Sequence, residues 1–442
     1  MTTVTDDQSS TPTPEPQGEP QGEQPTTSSA TPLATPPGAE PRTVYVAAPP
    51  QKSRGTGVTI AAVALVGALA GGVVGGVAGA GVSTLLLRES VTQADAADGP
   101  SAVTINNPDD VTAVTAIAAH AGPSVVTIDV SGRTAAGAGS GVVLSADGYI
   151  LTNTHVVTLE GATATGTIGV TTTDGRILSA EMVGLDPITD LAVIKASGVT
   201  DLIPIEWASS SDLNVGDRTV VIGAPLGLSN SVSQGIVSAL NRGIRIASSA
   251  VPEDTSGSNE PPEFGFDING APQTSPARGM ISIPVIQTDA SINPGNSGGA
   301  LVDANGQLVG VIVAIASTGS SSTNGSIGVG FAIPSDLARR VSDELIENGT
   351  ATHGLLGVMA TNSTTEDGIL GAQVSEVPAG GVGDAAGLRA GDVITAVGDI
   401  PVTSATDLTA QIRALAAGAE TTITYVRAGQ STTVTVTLGA LE

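Results

Sequence analysis

Between about Ala113 and Pro334 the chain is a succession of short β-branched runs, broken by Asp-Gly and Asn-Gly turns. Ser124-Val125-Val126-Thr127-Ile128-Asp129-Val130 is β-branched and alternates in part, a strand signal. Ser140 to Leu144, the turn Asp147-Gly148 and Tyr149 to Thr152 read as a hairpin. Thr167 to Thr172, the turn Asp174-Gly175 and Leu191 to Lys195 repeat the pattern. Val220 to Gly223, Asn305-Gly306 and Val309 to Ile315 continue it. Many short strands at regular spacing predict an all-β sandwich or a pair of barrels. Only 2% of residues are aromatic and there are 57 glycines, which suits turns and short strands better than one large aromatic core.

Two helical stretches stand out against this background. Ser335 to Asn348 carries an apolar stripe at Leu337, Val341 and Leu345, with Ser335 expected as N-cap, Asp336 in the first turn and Gly349 at the end. Ala405 to Ala416 places Leu408, Ile412 and Leu415 on one face. The second helix falls within a separate small α/β module from Gly354 to Leu438. Residues 249–279 interrupt the strand pattern with Pro, Ser, Gly, Asn and Glu, a length that marks a flexible or functional loop. Phe264 and Phe266 fall in it, two of the 3 phenylalanines of the chain.

The N-terminal part has a different character. Residues 1–54 are rich in Thr, Pro, Ser, Gln and Glu, too little apolar surface to offset the entropy of ordering, and are expected to be a disordered tail. No charged residue occurs from Gly57 to Leu87. A bilayer needs ~20 apolar residues, so 55–88 is expected to be one transmembrane helix. Lys52 and Arg54 precede it, which places the N-terminus inside and the residues beyond the linker 89–112 outside. The rival reading is a signal peptide cut after Ala94-Asp95-Ala96, but the apolar run exceeds an ordinary h-region of ~7–15 residues. Gly67, Gly71, Gly75 and Gly79 make a smooth helical stripe on which a second helix could pack.

A formal charge of −26 repels phosphate backbones, so nucleic acid is not an expected partner. With no cysteine, disulfides, zinc–thiolate sites and a Cys nucleophile are excluded. The sequence has no Walker-type nucleotide loop and no His or Cys cluster for a metal, so no cofactor is expected.

The chemistry concentrates on few residues. A serine nucleophile needs a base, an acid to orient that base, and N–H donors for the oxyanion. Asn293-Pro294-Gly295-Asn296-Ser297-Gly298-Gly299 could present Ser297 on a sharp turn with exposed N–H groups. Of the 3 histidines, His155 lies just past a strand in Asn153-Thr154-His155-Val156-Val157. His120 falls in a short amphipathic segment, and His353 opens the last module, far from the others along the chain. Asp190 stands at the mouth of the strand Leu191 to Lys195. Its local competitor Asp186 precedes a proline and reads as a turn initiator.

These segments, in the order His, Asp, Ser, resemble the HtrA (Deg) family of chymotrypsin-fold serine proteases. Thr288 to Leu301 is similar to its nucleophile motif, and Val329-Gly330-Phe331-Ala332-Ile333-Pro334 to the segment that closes its protease domain. The resemblance covers roughly residues 112–440 and points to a membrane-anchored, actinobacterial-like form. It implies His155 as general base, Asp190 as its orienting carboxylate and Ser297 as nucleophile. It also implies an oxyanion hole at the N–H groups of Gly295 and Ser297, with Asn296 beside them. The fold implied is mainly β, a chymotrypsin-like double β-barrel over 113–348. Ser291 stands where trypsin has an acid, so a small apolar pocket and cleavage after Val, Ala or Ile are expected.

Residues 349–442 resemble a PDZ domain, on Leu355-Leu356-Gly357-Val358 and Ala386-Gly387-Leu388-Arg389-Ala390-Gly391-Asp392-Val393-Ile394. The first run would hold the carboxylate of a peptide C-terminus, with the peptide added as a strand. Members of the HtrA family often trimerise through aromatic residues near the start of the protease domain. Residues 111–135 contain none, so a homo-oligomer would need another contact. Together these features imply an ATP-independent endopeptidase acting on unfolded or specific exported polypeptides. The alternative is a membrane-tethered PDZ binding or chaperone module with an inactive protease domain.

Overall fold

A computed structural model describes residues 111–224, 230–249, 266–267, 280–315, 326, 328–364 and 368–441. The N-terminal tail, the apolar run at 55–88, its glycine stripe and Phe264 lie outside them. Among the described residues no helix is long and apolar enough to cross a membrane.

Helix α1 (Ala113–Ala121) is capped by the Thr112 hydroxyl, which accepts from Thr115 N–H, and buries Ile117 and Ala121. It carries His120 on its exposed side, 3.7 Å from Glu206. A first closed barrel follows in the order β1-β2-β3-β6-β5-β4. Its strands are β1 (Val125–Ser131), β2 (Ala136–Val143), β3 (Tyr149–Thr152), β4 (Thr167–Thr171), β5 (Ile177–Asp186) and β6 (Leu191–Ala196). The Asp147-Gly148 turn sets the β2–β3 register, Val143 opposite Ile150. Val126, Ile128, Ile150, Val170 and Ile194 fill the interior.

A second set comprises β7 (Arg218–Gly223), β8 (Ser231–Ala247), β9 (Phe266–Asp267), β10 (Met280–Thr288), β11 (Ala300–Val302), β12 (Leu308–Ile315) and β13 (Gly330–Pro334). It forms a seven-stranded sheet in the order β10-β13-β12-β11-β7-β8-β9. Strand β8 also pairs β10, so the sheet closes on itself as a second barrel, with β9 appended. The loop expected at 249–279 joins β8 to β10, whose pairing extends out to Ala247 opposite Met280. Within it, Phe266 pairs with Ile246.

Helix α2 (Thr154–Val157) is a single turn after β3. Helix α3 (Ser335–Asn348) buries Leu337, Val341 and Leu345 and ends at Gly349 with φ 76. These side chains share one cluster with Leu151, Leu191 and Val193 of the first barrel and Ile283, Val285 and Phe331 of the second. The helix therefore seals the seam between the barrels, and losing one such Leu would cost about 2–5 kcal/mol. One expectation at its start is corrected. The N-cap is Pro334 with no side-chain bond, because the Ser335 hydroxyl donates instead to the Ala208 carbonyl at 2.7 Å.

The last module has β14 (Gly354–Leu355), β15 (Met359–Asn362), β16 (Ala372–Glu376), helix α4 (Val382–Ala385), β17 (Val393–Val397), β18 (Ile400–Pro401), helix α5 (Ala405–Ala414), β19 (Glu420–Arg427), β20 (Gln430–Thr437) and β21 (Gly439–Ala440). Its sheet runs β15-β16-β17-β19-β20, with β15 at one edge. The core includes Leu356, Val374, Ile394, Leu408, Ile412 and Tyr425. Asp392 of the Gly391-Asp392 turn is 1% exposed and is held by Arg427 at 2.6 Å, which makes it a structural residue.

Candidate active site

Strand β3 runs into Asn153 and the one-turn helix α2, which delivers His155 to the edge of the first barrel. The β5–β6 hairpin, closed by Asp186 opposite Leu191, delivers Asp190 from the other side. His155 Nδ1 lies 2.6 Å from Asp190 Oδ2. A carboxylate only accepts, so Nδ1 carries the hydrogen and Nε2 is the basic nitrogen on the far side of the ring. Burial, the largest influence, favours the neutral imidazole. The charge of Asp190 and its hydrogen bond outweigh this, with Glu160 adding to them, and the pKa of His155 is raised above its ordinary value.

Asp190 is fully buried and held on every side. Its Oδ1 accepts from His155 N–H at 3.0 Å and from the Ser249 hydroxyl at 3.0 Å. Its carbonyl accepts from the Asn153 side-chain amide at 2.9 Å and from Thr154 N–H at 3.2 Å. Its φ is 58, a left-handed backbone costing an L-residue roughly 1–2 kcal/mol that Asp tolerates better than most. So many bonds on one residue fix the carboxylate in orientation as well as in position.

Ser297 arrives on the turn between β10 and β11. Asn296 N–H donates to the Asn293 carbonyl at 3.0 Å, with Pro294 and Gly295 (φ 96) between them, the signature of a type II turn. Gly298 has φ 81, and a Cβ there would lie 2.1 Å from the Ser140 carbonyl oxygen, so only glycine lets the turn seat against β2. Asn296 thereby spends its N–H, and its side-chain Oδ1 is buried without a partner. Of the residues expected at the oxyanion hole, Asn296 thus has its backbone N–H committed to Asn293. Among the described residues the N–H groups of Gly295 and Ser297 have no hydrogen-bond acceptor. Two unpaired donors flanking a hydroxyl fit a developing negative charge.

The two barrels meet at Ser140, a residue that composition and spacing do not single out. Its N–H donates to the Ser297 carbonyl at 2.8 Å and its hydroxyl to the Gly295 carbonyl at 2.7 Å. The same hydroxyl accepts from Ala224 N–H at 2.9 Å, and the Ser140 carbonyl accepts from the Thr152 hydroxyl at 2.7 Å. The Ser297 turn is thus tied, through Ser140 and Thr152, to the strand that leads to His155. A Cβ on Gly139 would meet both Val156, next to His155, and the Ser297 carbonyl. Ser297 Oγ itself donates to the Val313 carbonyl at 3.5 Å, a long and weak bond.

The other sequence candidates fall elsewhere. His120 is half-exposed on α1. His353 and Asp186 are buried against each other, with Nε2 2.9 Å from Oδ1. Ser291 is exposed, and its carbonyl accepts from the Ser233 hydroxyl at 2.6 Å. In the last module Leu356 is 3% and Leu355 40% exposed, Gly357 has φ 67, and the Leu356 carbonyl accepts from Gly383 N–H at 2.8 Å. Met359, on the edge strand β15, is 57% exposed. Among the described residues no His, Cys, Asp and Glu group could hold a metal ion.

Residues 139–311 match the trypsin-like peptidase domain and residues 354–438 the PDZ domain. The chain is 43% identical over 334 residues to the serine protease PepD of Mycobacterium tuberculosis, covering 74% of this chain and 66% of that protein. It is 39% identical over 308 residues to the periplasmic serine endoprotease DegP of Escherichia coli, covering 68% of this chain and 56% of that protein. Among solved structures, the HtrA-type protease AlgW with a tripeptide superposes with a TM-score of 0.52 at 33% identity, over 74% of this chain and 97% of that one. The chain therefore spans somewhat less than two thirds of these two curated relatives. Two antiparallel barrels, a buried His155–Asp190 pair, a glycine-flanked serine turn, a trailing PDZ module and these relatives together show that the chain belongs to the HtrA (DegP) family of trypsin-fold serine proteases.

Proposed function

We propose that the chain is an ATP-independent serine endopeptidase of the HtrA type, acting on misfolded or specific exported proteins at the outer face of the cytoplasmic membrane. Ser297 Oγ attacks the scissile carbonyl while His155 Nε2 takes its proton. The Gly295 and Ser297 N–H groups receive the oxyanion. His155 then gives the proton to the leaving amine, and a water, deprotonated by the same imidazole, releases the acyl group from Ser297. Asp190 holds the tautomer and balances the imidazolium. The observation that carries this reading is the pair of N–H donors at Gly295 and Ser297 with no acceptor among the described residues, on a turn tied through Ser140 to the strand that leads to the 2.6 Å His155–Asp190 pair.

The anchor at 55–88 rests on its lack of charge over Gly57 to Leu87. The relatives' periplasmic designation supports an extracytoplasmic site of action. Peptide C-termini would bind at Leu355 to Val358 and extend along β15, where the exposed Leu355 and Met359 offer apolar contact. The absence of an acid at Ser291 favours small apolar residues before the cut. The test is digestion of casein and of a peptide library by the wild type and Ser297→Ala. Cleavage after Val, Ala and Ile that is lost in the variant is expected. Undiminished cleavage by Ser297→Ala overturns the nucleophile, and cutting mainly after Arg overturns the specificity.

A further inference from the structure

The structure holds a second His–Asp pair, and it joins the PDZ module to the hairpin that carries Asp190. His353 lies between α3 and β14 and is 2% exposed. Its Nδ1 meets the Arg413 carbonyl at 2.8 Å and its Nε2 meets Asp186 Oδ1 at 2.9 Å. Both partners accept, so holding the ring at both nitrogens requires a hydrogen on each of them. Arg413 sits in the last turn of α5, where carbonyls lack intrahelical partners. His353 supplies one, and so fixes the end of that helix to the protease domain. The other end of α5 is fixed too, since Asp407 Oδ1 accepts from Gly243 N–H of β8 at 2.8 Å.

Asp186 is 3% exposed and closes the β5–β6 hairpin opposite Leu191. Its carboxylate accepts from Ile188 N–H at 3.1 Å and from the Thr189 hydroxyl. It thus organises the turn Pro187-Ile188-Thr189-Asp190 from within. The last residue of that turn is Asp190, in a left-handed conformation that the turn must hold. A buried carboxylate with an unmet partner would rearrange, and the turn it bonds at Ile188 and Thr189 would move with it.

We propose that His353 is a positioning residue for the catalytic machinery: through Asp186 it fixes the turn that orients the Asp190 carboxylate toward His155, so the PDZ module completes the support of the triad. The proposal rests on the reading of Ser297, His155 and Asp190 as that triad. It differs from a packing role, because the hydrogen bonds to Asp186 and Arg413 carry it and not the volume of the ring.

The test uses the full chain with selectively labelled histidine. The His155 titration midpoint, peptide kcat and KM, and thermal melting are compared for the wild type, His353→Ala and His353→Gln. With Asp190 displaced, the main influence that raises the His155 midpoint is weakened and only Glu160 keeps its effect. His353→Ala is expected to lower that midpoint and to reduce kcat by about tenfold, with KM within about twofold. His353→Gln, whose amide can donate to Asp186, restores most of both. If His353→Ala does not fold, Asp186→Asn keeps the shape of the turn while weakening the same link, and the same losses are expected. A wild-type midpoint and kcat in a folded His353→Ala or Asp186→Asn variant overturns the proposal, as does equal loss in the Ala and Gln variants. The midpoint reads His155 directly. If the wild type cleaves no peptide, the protease reading fails while the midpoint still decides this proposal.

Discussion

The molecule contains two His–Asp pairs with similar contacts and opposite surroundings. His155–Asp190 is joined at 2.6 Å through Nδ1, and the His155 side chain keeps 10% of its surface exposed. His353–Asp186 is joined at 2.9 Å through Nε2, and its histidine side chain is 1% exposed with the other nitrogen on a backbone carbonyl. What separates a proton carrier from a clamp is the second ring nitrogen. In His353 it is committed to Arg413. In His155 it is Nε2, on the side of the ring away from Asp190. Asp186 and Asp190 bracket the same turn, which is why the fates of the two pairs are linked.

The largest loss is expected at the first pair. Asp190→Asn should leave the fold intact but lower turnover by about 10⁴, because the amide favours the wrong tautomer of His155. Steady-state peptide hydrolysis reads this directly. A loss at Asp190→Asn no larger than that at Asp186→Asn would erase the distinction between the pairs.

The next largest effect is expected on the protonation of His155. The folded state raises the His155 pKa above its ordinary ~6.5, although burial acts the other way. A general base works when neutral, so kcat/KM should fall as pH drops through a midpoint above ~6.5. The sign for stability is opposite. The charged imidazole is favoured in the fold, so its contribution is complete below ~6.5 and is lost as pH rises through the raised native value. In Asp190→Asn, burial is opposed only by the charge of Glu160, and the midpoint should fall well below that of the wild type, as followed by histidine resonances. An unchanged midpoint in that variant would contradict the assignment of Asp190 as the dominant partner.

The smallest effect is expected at Ser249. Its hydroxyl is one of several donors to Asp190, and the carboxylate keeps both bonds to His155 without it. Ser249→Ala should lower kcat by about tenfold with KM within about twofold, and Ser249→Thr should recover most of it. Identical losses in the two variants would mean that Ser249 acts by packing.

Sequence patterning reaches the elements whose determinants are local. The hairpin around Asp147-Gly148 and helix Ser335–Asn348 follow from turn chemistry and an apolar stripe. Strand β5 escapes it, because its exposed face and its bulge between Met182 and Gly184 break the alternation. His155, Asp190 and Ser297 are legible as motifs, since each stands in its own short context. The supporting residues are not. Ser140 reaches Gly295 across 155 residues, Ser249 reaches Asp190 across 59, and His353 reaches Asp186 across 167. A serine or histidine with a distant partner looks locally like any other. Asp186 reads as a turn initiator, which it is, since it accepts from Ile188 N–H. What its Asp-Pro context cannot reveal is the histidine on its other side.

The most direct test of the account is covalent labelling of the full chain by a fluorophosphonate, read by intact mass and peptide mapping. Phosphonylation at Ser297 in the wild type, absent in Ser297→Ala and strongly slowed in His155→Ala, is the predicted result. No labelling of the wild type under any activating condition, or equal labelling of Ser297→Ala, would contradict it.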